Sequence, residues 1–202
     1  MKAYIVSLVF AMFLITGCSF KAGYDPSYVQ NLKTNFSQSK NTSVKVAVLT
    51  TTEQDNKIIN QSPTSLTGGG TTLEIPVGII TRELTYEYFS QYYSDVSRIK
   101  TLNGEYSIVI SPEITHFEYE YDQLSNLGFA ITPKLSFNLS VQVYKDHDQV
   151  MNKVYESGVK NASSYLVSGQ PGERINKLLH ESLFQLLGQV KNDIDSVMAQ
   201  NK

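Results

Sequence analysis

Cysteine and tryptophan are almost missing from this 202-residue chain, which has one Cys and no Trp. A single cysteine excludes a disulfide scaffold, so the folded part must depend on core packing. An excess of basic residues is missing too, since 17 Lys and Arg stand against 19 Asp and Glu. Because phosphate backbones are bound by basic patches, we expect no nucleic-acid partner. The chain is 41% hydrophobic, which allows one domain with a sizeable core.

The one long apolar run of the sequence lies at its N-terminus. Lys2 precedes an apolar stretch over residues 3–15, and two small residues follow it. The stretch has roughly 13 residues, whereas a helix needs about 20 to span a bilayer. We therefore predict that residues 1–17 are a signal peptide that is removed from the mature protein.

The junction after this run is more specific than a general cleavage site. Ile15-Thr16-Gly17-Cys18 resembles the lipobox of bacterial lipoproteins, in which an aliphatic and two small residues precede the Cys. The resemblance implies that Cys18 carries a diacylglycerol and, after cleavage, a further acyl chain on its amine. Two or more chains anchor a protein stably where one chain is marginal. Ser19, standing where an Asp would signal retention, implies sorting to the outer membrane with the domain facing the periplasm.

Two segments of the mature chain have little apolar patterning. Residues 18–43 are rich in Ser, Asn, Gln, Lys and Thr, and we predict a lipidated Cys followed by a flexible tether. Residues 53–73 are predicted to be a long mobile loop. The alternative for the first segment is a short docking turn formed by its larger side chains, Tyr24, Tyr28, Val29 and Leu32.

Residues 44–202 are predicted to form a periplasmic α+β domain. Alternating apolar residues indicate strands over 44–49, 106–121, 134–143 and 150–155, the second of them bent at Pro112. Three of these strands should form an antiparallel meander, with Asp146-His147-Asp148 as a turn. The clearest alternation predicts one buried face in the third strand: Leu135, Phe137, Leu139, Val141 and Val143.

Two helices complete the predicted domain. Apolar residues recur at helical spacing over 77–93 and, for more than about 20 residues, after Pro171. An amphipathic C-terminal helix that covers the apolar face of an antiparallel sheet of about four strands gives a two-layer α+β fold, with the second helix packed on it.

No catalytic constellation emerges from the sequence. A Gly-x-Ser-x-Gly elbow is missing, and the one Cys is the predicted lipidation site. His116, His147 and His180 fall in three separate predicted elements, which argues against a metal site. Glu118 and Glu120 share a strand face, a pattern that suits a solvated face as well as a glycosidase pair. We expect a protein without enzymatic activity, metal or cofactor.

Aromatic residues offer the more informative signal, with 13 Tyr and nine Phe in the chain. Tyr86, Phe89 and Tyr93 form a second aromatic line on the predicted 77–93 helix. This line indicates either a helix packed between the sheet and another element or a partner-binding surface, because Tyr is enriched in interfaces. We name these three residues as the candidate partner site.

The order of the predicted elements, together with several short segments, resembles the YajG-like family of bacterial lipoproteins. These segments are Tyr106-Ser-Ile-Val-Ile, Phe117-Glu-Tyr, Lys134-Leu-Ser-Phe-Asn-Leu-Ser-Val-Gln-Val, Val154-Tyr-Glu-Ser-Gly and Ile175-Asn-Lys-Leu-Leu-His-Glu-Ser-Leu. The resemblance covers about half of the chain and implies an auxiliary lipoprotein of the cell envelope, with no catalytic residues to transfer. The 53–73 segment and the tyrosine-rich helix depart from it.

Two functions follow as hypotheses. The first is a non-catalytic, outer-membrane-anchored domain that binds another envelope component, with a protein partner favoured. The second is a carrier or sensor of a small apolar ligand, such as a lipid chain, held between the final helix and the sheet. A groove bordered by Leu179, Leu183, Phe137 and Leu139 would favour the carrier, and a filled core with an exposed aromatic patch would favour docking.

Overall fold

A computed structural model describes residues 18–33, 40–62, 71–122, 130–166 and 171–200. The predicted signal peptide, residues 1–17, lies outside these ranges. The helices of the described part are α1 (Pro26–Lys33), α2 (Thr52–Asp55), α3 (Val77–Phe89) and α4 (Pro171–Gln200). Its strands are β1 (Cys18–Lys21), β2 (Asn41–Leu49), β3 (Ile59–Gln61), β4 (Thr71–Ile75), β5 (Tyr93–Ile99), β6 (Ile108–Asp122), β7 (Ala130–Lys145), β8 (Asp148–Glu156), β9 (Lys160–Asn161) and β10 (Tyr165–Leu166).

The larger of the two sheets is mixed. Its strand order is β10-β7-β6-β2-β5, and β8 and β9 also pair with β7. β6, β7 and β8 form the predicted antiparallel meander. β2 runs parallel to both β5 and β6. α3 lies in the connection that returns the chain from β2 to the start of β5, and residues 100–107 return it from β5 to the start of β6. The α+β class is confirmed, whereas the purely antiparallel sheet of about four strands is wrong in size and direction.

Strands that carry little apolar sequence account for the difference in size. β5 lies at an edge of the larger sheet, and its exposed Ser94 and Asp95 interrupt any alternation. A smaller sheet has the order β1-β4-β3, and its strands fall within the predicted tether and the predicted 53–73 loop. The loop prediction is therefore wrong for the described parts of that segment, which contain most of α2, all of β3 and the start of β4.

A β-bulge, rather than a proline bend, shapes β6. Pro112 pairs in register with Val141, and the register shifts between Ile114 and His116. The extra residue inverts the alternation, because the buried side chains fall on even positions from Ile110 to Ile114 and on odd positions from Phe117. The bulge therefore keeps both halves of a long strand facing the core.

The core lies between the sheet and the two long helices. The predicted buried face of β7 is confirmed, with all five of its apolar side chains at most 1% exposed. The predicted C-terminal helix is confirmed as α4, which packs on β7 and on α3. Its stripe is fully or almost fully buried: Ile175, Leu179, Leu183, Leu187, Val190 and Ile194.

A tight turn and a helix cap position the outer elements. Asp146 and His147 both have positive φ, 51° and 74°, as the predicted turn between β7 and β8 requires. At the other site, Thr51 and Gln54 form a capping box that starts α2. This short helix lies so close to α3 that a Cβ at Gly78 would stand 1.8 Å from the Gln54 carbonyl oxygen.

We expect Gly78→Ala to lower the free energy of unfolding by about 2 kcal/mol or more, since α2 must move to admit the methyl group. Gly188→Ala is the matched control. It also lies in a helix, where its Cβ would meet only the Tyr88 hydroxyl at an ordinary 3.5 Å. There the substitution should raise stability by about 0.5–1 kcal/mol, because alanine is the better helix former. Urea unfolding measures both, and equal effects would contradict the close approach.

Candidate functional site

The segment that begins at the predicted lipidation site is the first candidate, and we call residues 18–33 the N-terminal segment. β1 pairs in parallel with β4, with Cys18 opposite Thr71 and Lys21 opposite Glu74. The Ala22 N–H extends this pairing by donating to the Glu74 carbonyl oxygen at 2.9 Å. The main chain is therefore held in the small sheet from Cys18 onward.

The rest of the N-terminal segment lies along α4. The Gly23 N–H donates to Asn176 Oδ1 at 3.3 Å, and the Asp25 N–H donates to His180 Nε2 at 3.2 Å. α1 then packs against α4, and its Val29 is 1% exposed. Hydrogen bonds and apolar packing together therefore hold most of the N-terminal segment against α4.

His180 is the central contact of this arrangement and is fully buried. Because Nε2 accepts from the Asp25 N–H, the ring proton must be on Nδ1, which donates to the Asn176 carbonyl oxygen at 2.8 Å. The rings of Tyr24 and Tyr28 lie 6.1 and 5.4 Å from the imidazole. Burial lowers the pKa of His180, although the Asn176 carbonyl and the Asp25 carboxylate act to raise it. The neutral imidazole therefore stabilises the docked segment.

The structure differs here from the flexible tether predicted over residues 18–43, because residues 18–33 are paired or helical. It is closer to the alternative of a docking turn, with a two-turn helix in its place. A signal for this helix was present in the sequence. Asp25 accepts from the Ser27 N–H at 2.8 Å, and Pro26 occupies the first helical position.

The three residues of the candidate partner site do not form one exposed patch. Phe89 is fully buried and Tyr93 is 7% exposed. Tyr86 is half-buried, with the Arg98 guanidinium 3.4 Å from its ring centroid. α3 ends at Phe89, so Tyr93 belongs to β5 instead of to the helix face. Packing between the sheet and α4 therefore explains the aromatic line for Phe89 and Tyr93.

Tyr93 nevertheless borders an open groove of about 380 Å³ at the C-terminal end of α4. Burial, together with the Asp195 carboxylate, raises the pKa of Tyr93 to about 12. The groove is lined by apolar and polar side chains together, and its lining comprises Asn41, Val44, Tyr93, Ser107, Ile108, Lys145, Asp195, Met198 and Ala199. Residues from β2, β5, β6, β7 and α4 meet there, so sequence periodicity within one element could not reveal it.

The groove expected for a carrier is filled. Leu179, Leu183, Phe137 and Leu139 are each at most 1% exposed and pack in the core. This excludes a ligand cavity between α4 and β7 at these four residues. The 380 Å³ groove lies farther along α4 and is lined by a different set of residues.

Three of the side chains weighed for catalysis lie near one another on β6, and the other two histidines lie elsewhere. Glu118 and Glu120 border a shallow depression of about 80 Å³ on the outer face of the sheet. The Glu118 side chain is 61% exposed and lies 3.3 Å from His116. His147 occupies the β7–β8 turn, and His180 is in the core. Among the described ranges, no three His, Cys, Asp or Glu side chains come together as a metal site.

No protein-family model and no curated protein matches the chain. Solved structures do match its fold. Protein XCC0632 from Xanthomonas campestris, described with the family DUF330, has a TM-score of 0.52 and 12% identity over 90% of this chain and 95% of its own. A protein described as a homolog of the neuraminyllactose-binding hemagglutinin from Helicobacter pylori has a TM-score of 0.46 and 10% identity over 81% and 92%.

The likeness to XCC0632 shows a fold shared with a bacterial protein. At 12% identity it carries no activity or ligand to this chain. The resemblance to YajG-like lipoproteins stays a prediction. In the part of the chain that the structure describes, none of the helices has the length and hydropathy needed to cross a bilayer.

The contacts of His180 predict a pH-dependent stability. Since burial lowers its pKa, the folded protein binds this proton less readily than the unfolded chain does. The stability contributed by the neutral ring is therefore fully present above about pH 6.5 and is lost as the pH falls toward the lowered folded-state pKa. We expect the free energy of unfolding to fall by up to about 1.4 kcal/mol per pH unit in that window.

Urea unfolding of wild type and His180→Gln at several pH values between about 7.5 and about 5 tests this slope. The variant loses the titrating group and retains an acceptor for the Asp25 N–H, so its slope should be shallower. Identical slopes for wild type and His180→Gln would contradict the assignment.

Proposed function

We propose that this protein is a bacterial lipoprotein, anchored in the outer membrane by acyl chains on Cys18, whose periplasmic domain binds another envelope component. The observation that carries the proposal is the lipobox-like junction Ile15-Thr16-Gly17-Cys18. Cleavage before Cys18 would keep residues 18–21, which pair with β4, and would place Cys18 at the membrane.

Two further points support a binding role over catalysis. His147 and His180 lie apart from the two candidate acids, and the depression beside Glu118 and Glu120 measures only about 80 Å³. The partner surface that we favour is the groove beside Tyr93, because an open concave surface lined by apolar and polar side chains suits recognition. The YajG-like resemblance supports the same class of envelope auxiliary lipoprotein.

We expect Cys18→Ala to remove the lipid mass from the mature protein and to release the domain from the membrane fraction, because the acylated thiol is gone. Mass spectrometry and cell fractionation measure these effects. Ser19→Ala is the matched control, since it keeps Cys18 and should remain lipidated. The variant domain should keep its thermal unfolding midpoint, because Cys18 adds no disulfide. Unchanged membrane association of Cys18→Ala would contradict the anchor.

A carrier or sensor of a small apolar ligand is the second candidate function. It is favoured by the size of the groove, because about 380 Å³ falls within the range of small-molecule sites. Val44, Ile108 and Met198 supply apolar walls for a chain, and Lys145 and Asp195 add one charge of each sign. A lipid chain matches the apolar part of this lining.

A photo-crosslinking residue in place of Ala199 distinguishes the two functions in intact cells, because this exposed position lines the groove. A partner protein should give one discrete protein adduct, whereas a lipid ligand should give a mass increase of a few hundred daltons on the chain itself. The same residue at Gln189, which is exposed on α4 and outside the groove, is the control. Equal adducts at both positions would argue against the groove as the site.

A further inference from the structure

We propose that the end of the domain at which α4 begins lies against the bilayer, and that α4 points away from the membrane. This inference rests on the proposed lipid anchor at Cys18. It adds an orientation and a contact surface, which a lipid on a flexible tether would not provide. The partner is a phospholipid surface, and the surface of the protein that meets it comprises the start of β1, the start of β4 and the first turn of α4.

The chain has no slack after Cys18. The residue is itself in register with Thr71, and the three residues after it pair with β4. At about 3.3 Å per residue, Cys18 and Lys21 are separated by about 10 Å of strand. The small sheet must therefore stay within about that distance of the acylated residue, as long as β1 remains paired.

The N-terminal segment also has a defined direction relative to α4. Gly172 packs on Lys21, and a Cβ at Gly172 would lie 3.1 Å from the Lys21 carbonyl oxygen. Four and eight residues farther along α4, Asn176 and His180 receive the N–H groups of Gly23 and Asp25. The N-terminal segment thus runs beside α4 in the same direction, so Cys18 lies toward the helix start.

The N-terminal segment is attached to the rest of the domain at its far end as well. Val29 buries its side chain against the core, and Lys33 forms an ion pair with Glu87 of α3. Both ends of the N-terminal segment are therefore held, one by β4 and the other by α3 and α4. A lipid-anchored segment fixed at both ends transmits its orientation to the whole domain.

Charge does not supply an alternative cause for this orientation. Lys21 is the exposed cation nearest to Cys18 in sequence, and it is paired with Glu74 at 3.4 Å. The first turn of α4 carries Glu173 next to Arg174, so opposite charges are adjacent there as well. We therefore expect the same orientation on neutral and on anionic bilayers, because the connection to Cys18 imposes it.

The experiment uses the lipidated full-length protein, in which the acylated Cys18 no longer reacts with thiol reagents. Single cysteines are introduced at exposed positions along α4: Glu173→Cys, Lys177→Cys, Gln185→Cys, Gln189→Cys and Ser196→Cys. Each is labelled with a fluorescent donor, and the protein is added to preformed phosphatidylcholine vesicles that contain headgroup acceptors. The 23-residue span of these positions corresponds to about 35 Å along the helix.

We expect the distance of closest approach to rise steadily from Glu173→Cys to Ser196→Cys, by about 25–35 Å in total. Vesicles with added phosphatidylglycerol should give the same gradient. Equal distances at all five positions would overturn the orientation while leaving the lipid anchor in place. An unmodified Cys18 in the mass spectrum would instead overturn the anchor, and the orientation with it.

A linker variant tests the cause of the gradient. Ten Gly and Ser residues inserted between Ser19 and Phe20 add about 17 Å of root-mean-square reach and should flatten the gradient. The same insertion between Asp146 and His147, in the exposed β7–β8 turn, is the matched control and should preserve it. A gradient that survives the first insertion would overturn the proposal, because another contact would then be orienting the domain.

Discussion

Burial of one apolar stripe along α4 is the interaction on which the other layers of the molecule depend. This helix packs on β7, on α3 and on the N-terminal segment, which otherwise have few contacts with one another. The fold has no disulfide to share that task, since its one cysteine lies at the start of β1. Loss of the stripe would expose the sheet face and detach both neighbouring helices at once.

The elements that could be predicted from sequence are those whose periodicity is strong and local. α4 and the buried face of β7 are clear because every second or every third to fourth residue is aliphatic. The sequence does not predict β5, because an edge strand needs few apolar side chains. It does not predict the parallel pairing of β2 either, because that pairing depends on a crossover connection and not on a local pattern. The bulge in β6 is also hidden, because it changes the parity of a pattern that otherwise looks continuous.

The candidate sites also divide into those with a local sequence signal and those without one. Cys18 stands out because four adjacent residues form its motif, whereas the docking of residues 18–33 requires acceptors more than 150 positions away, on Asn176 and His180. The aromatic line on α3 was ambiguous for a physical reason. A large ring suits a crowded interior as well as an interface, and the two rings differ: Phe89 is fully buried, whereas Tyr93 is mostly buried and also borders the groove. The groove combines residues of five elements and is visible only in three dimensions.

The length of α4 has a consequence for where recognition would take place. Its 30 residues measure about 45 Å, and Cys18 and the groove lie toward opposite ends of that rod. If the acyl chains proposed on Cys18 hold one end at the bilayer, the length of the helix, and not a flexible tether, sets the distance of the other end from the membrane. An occupant of the groove would then lie well above the lipid headgroups.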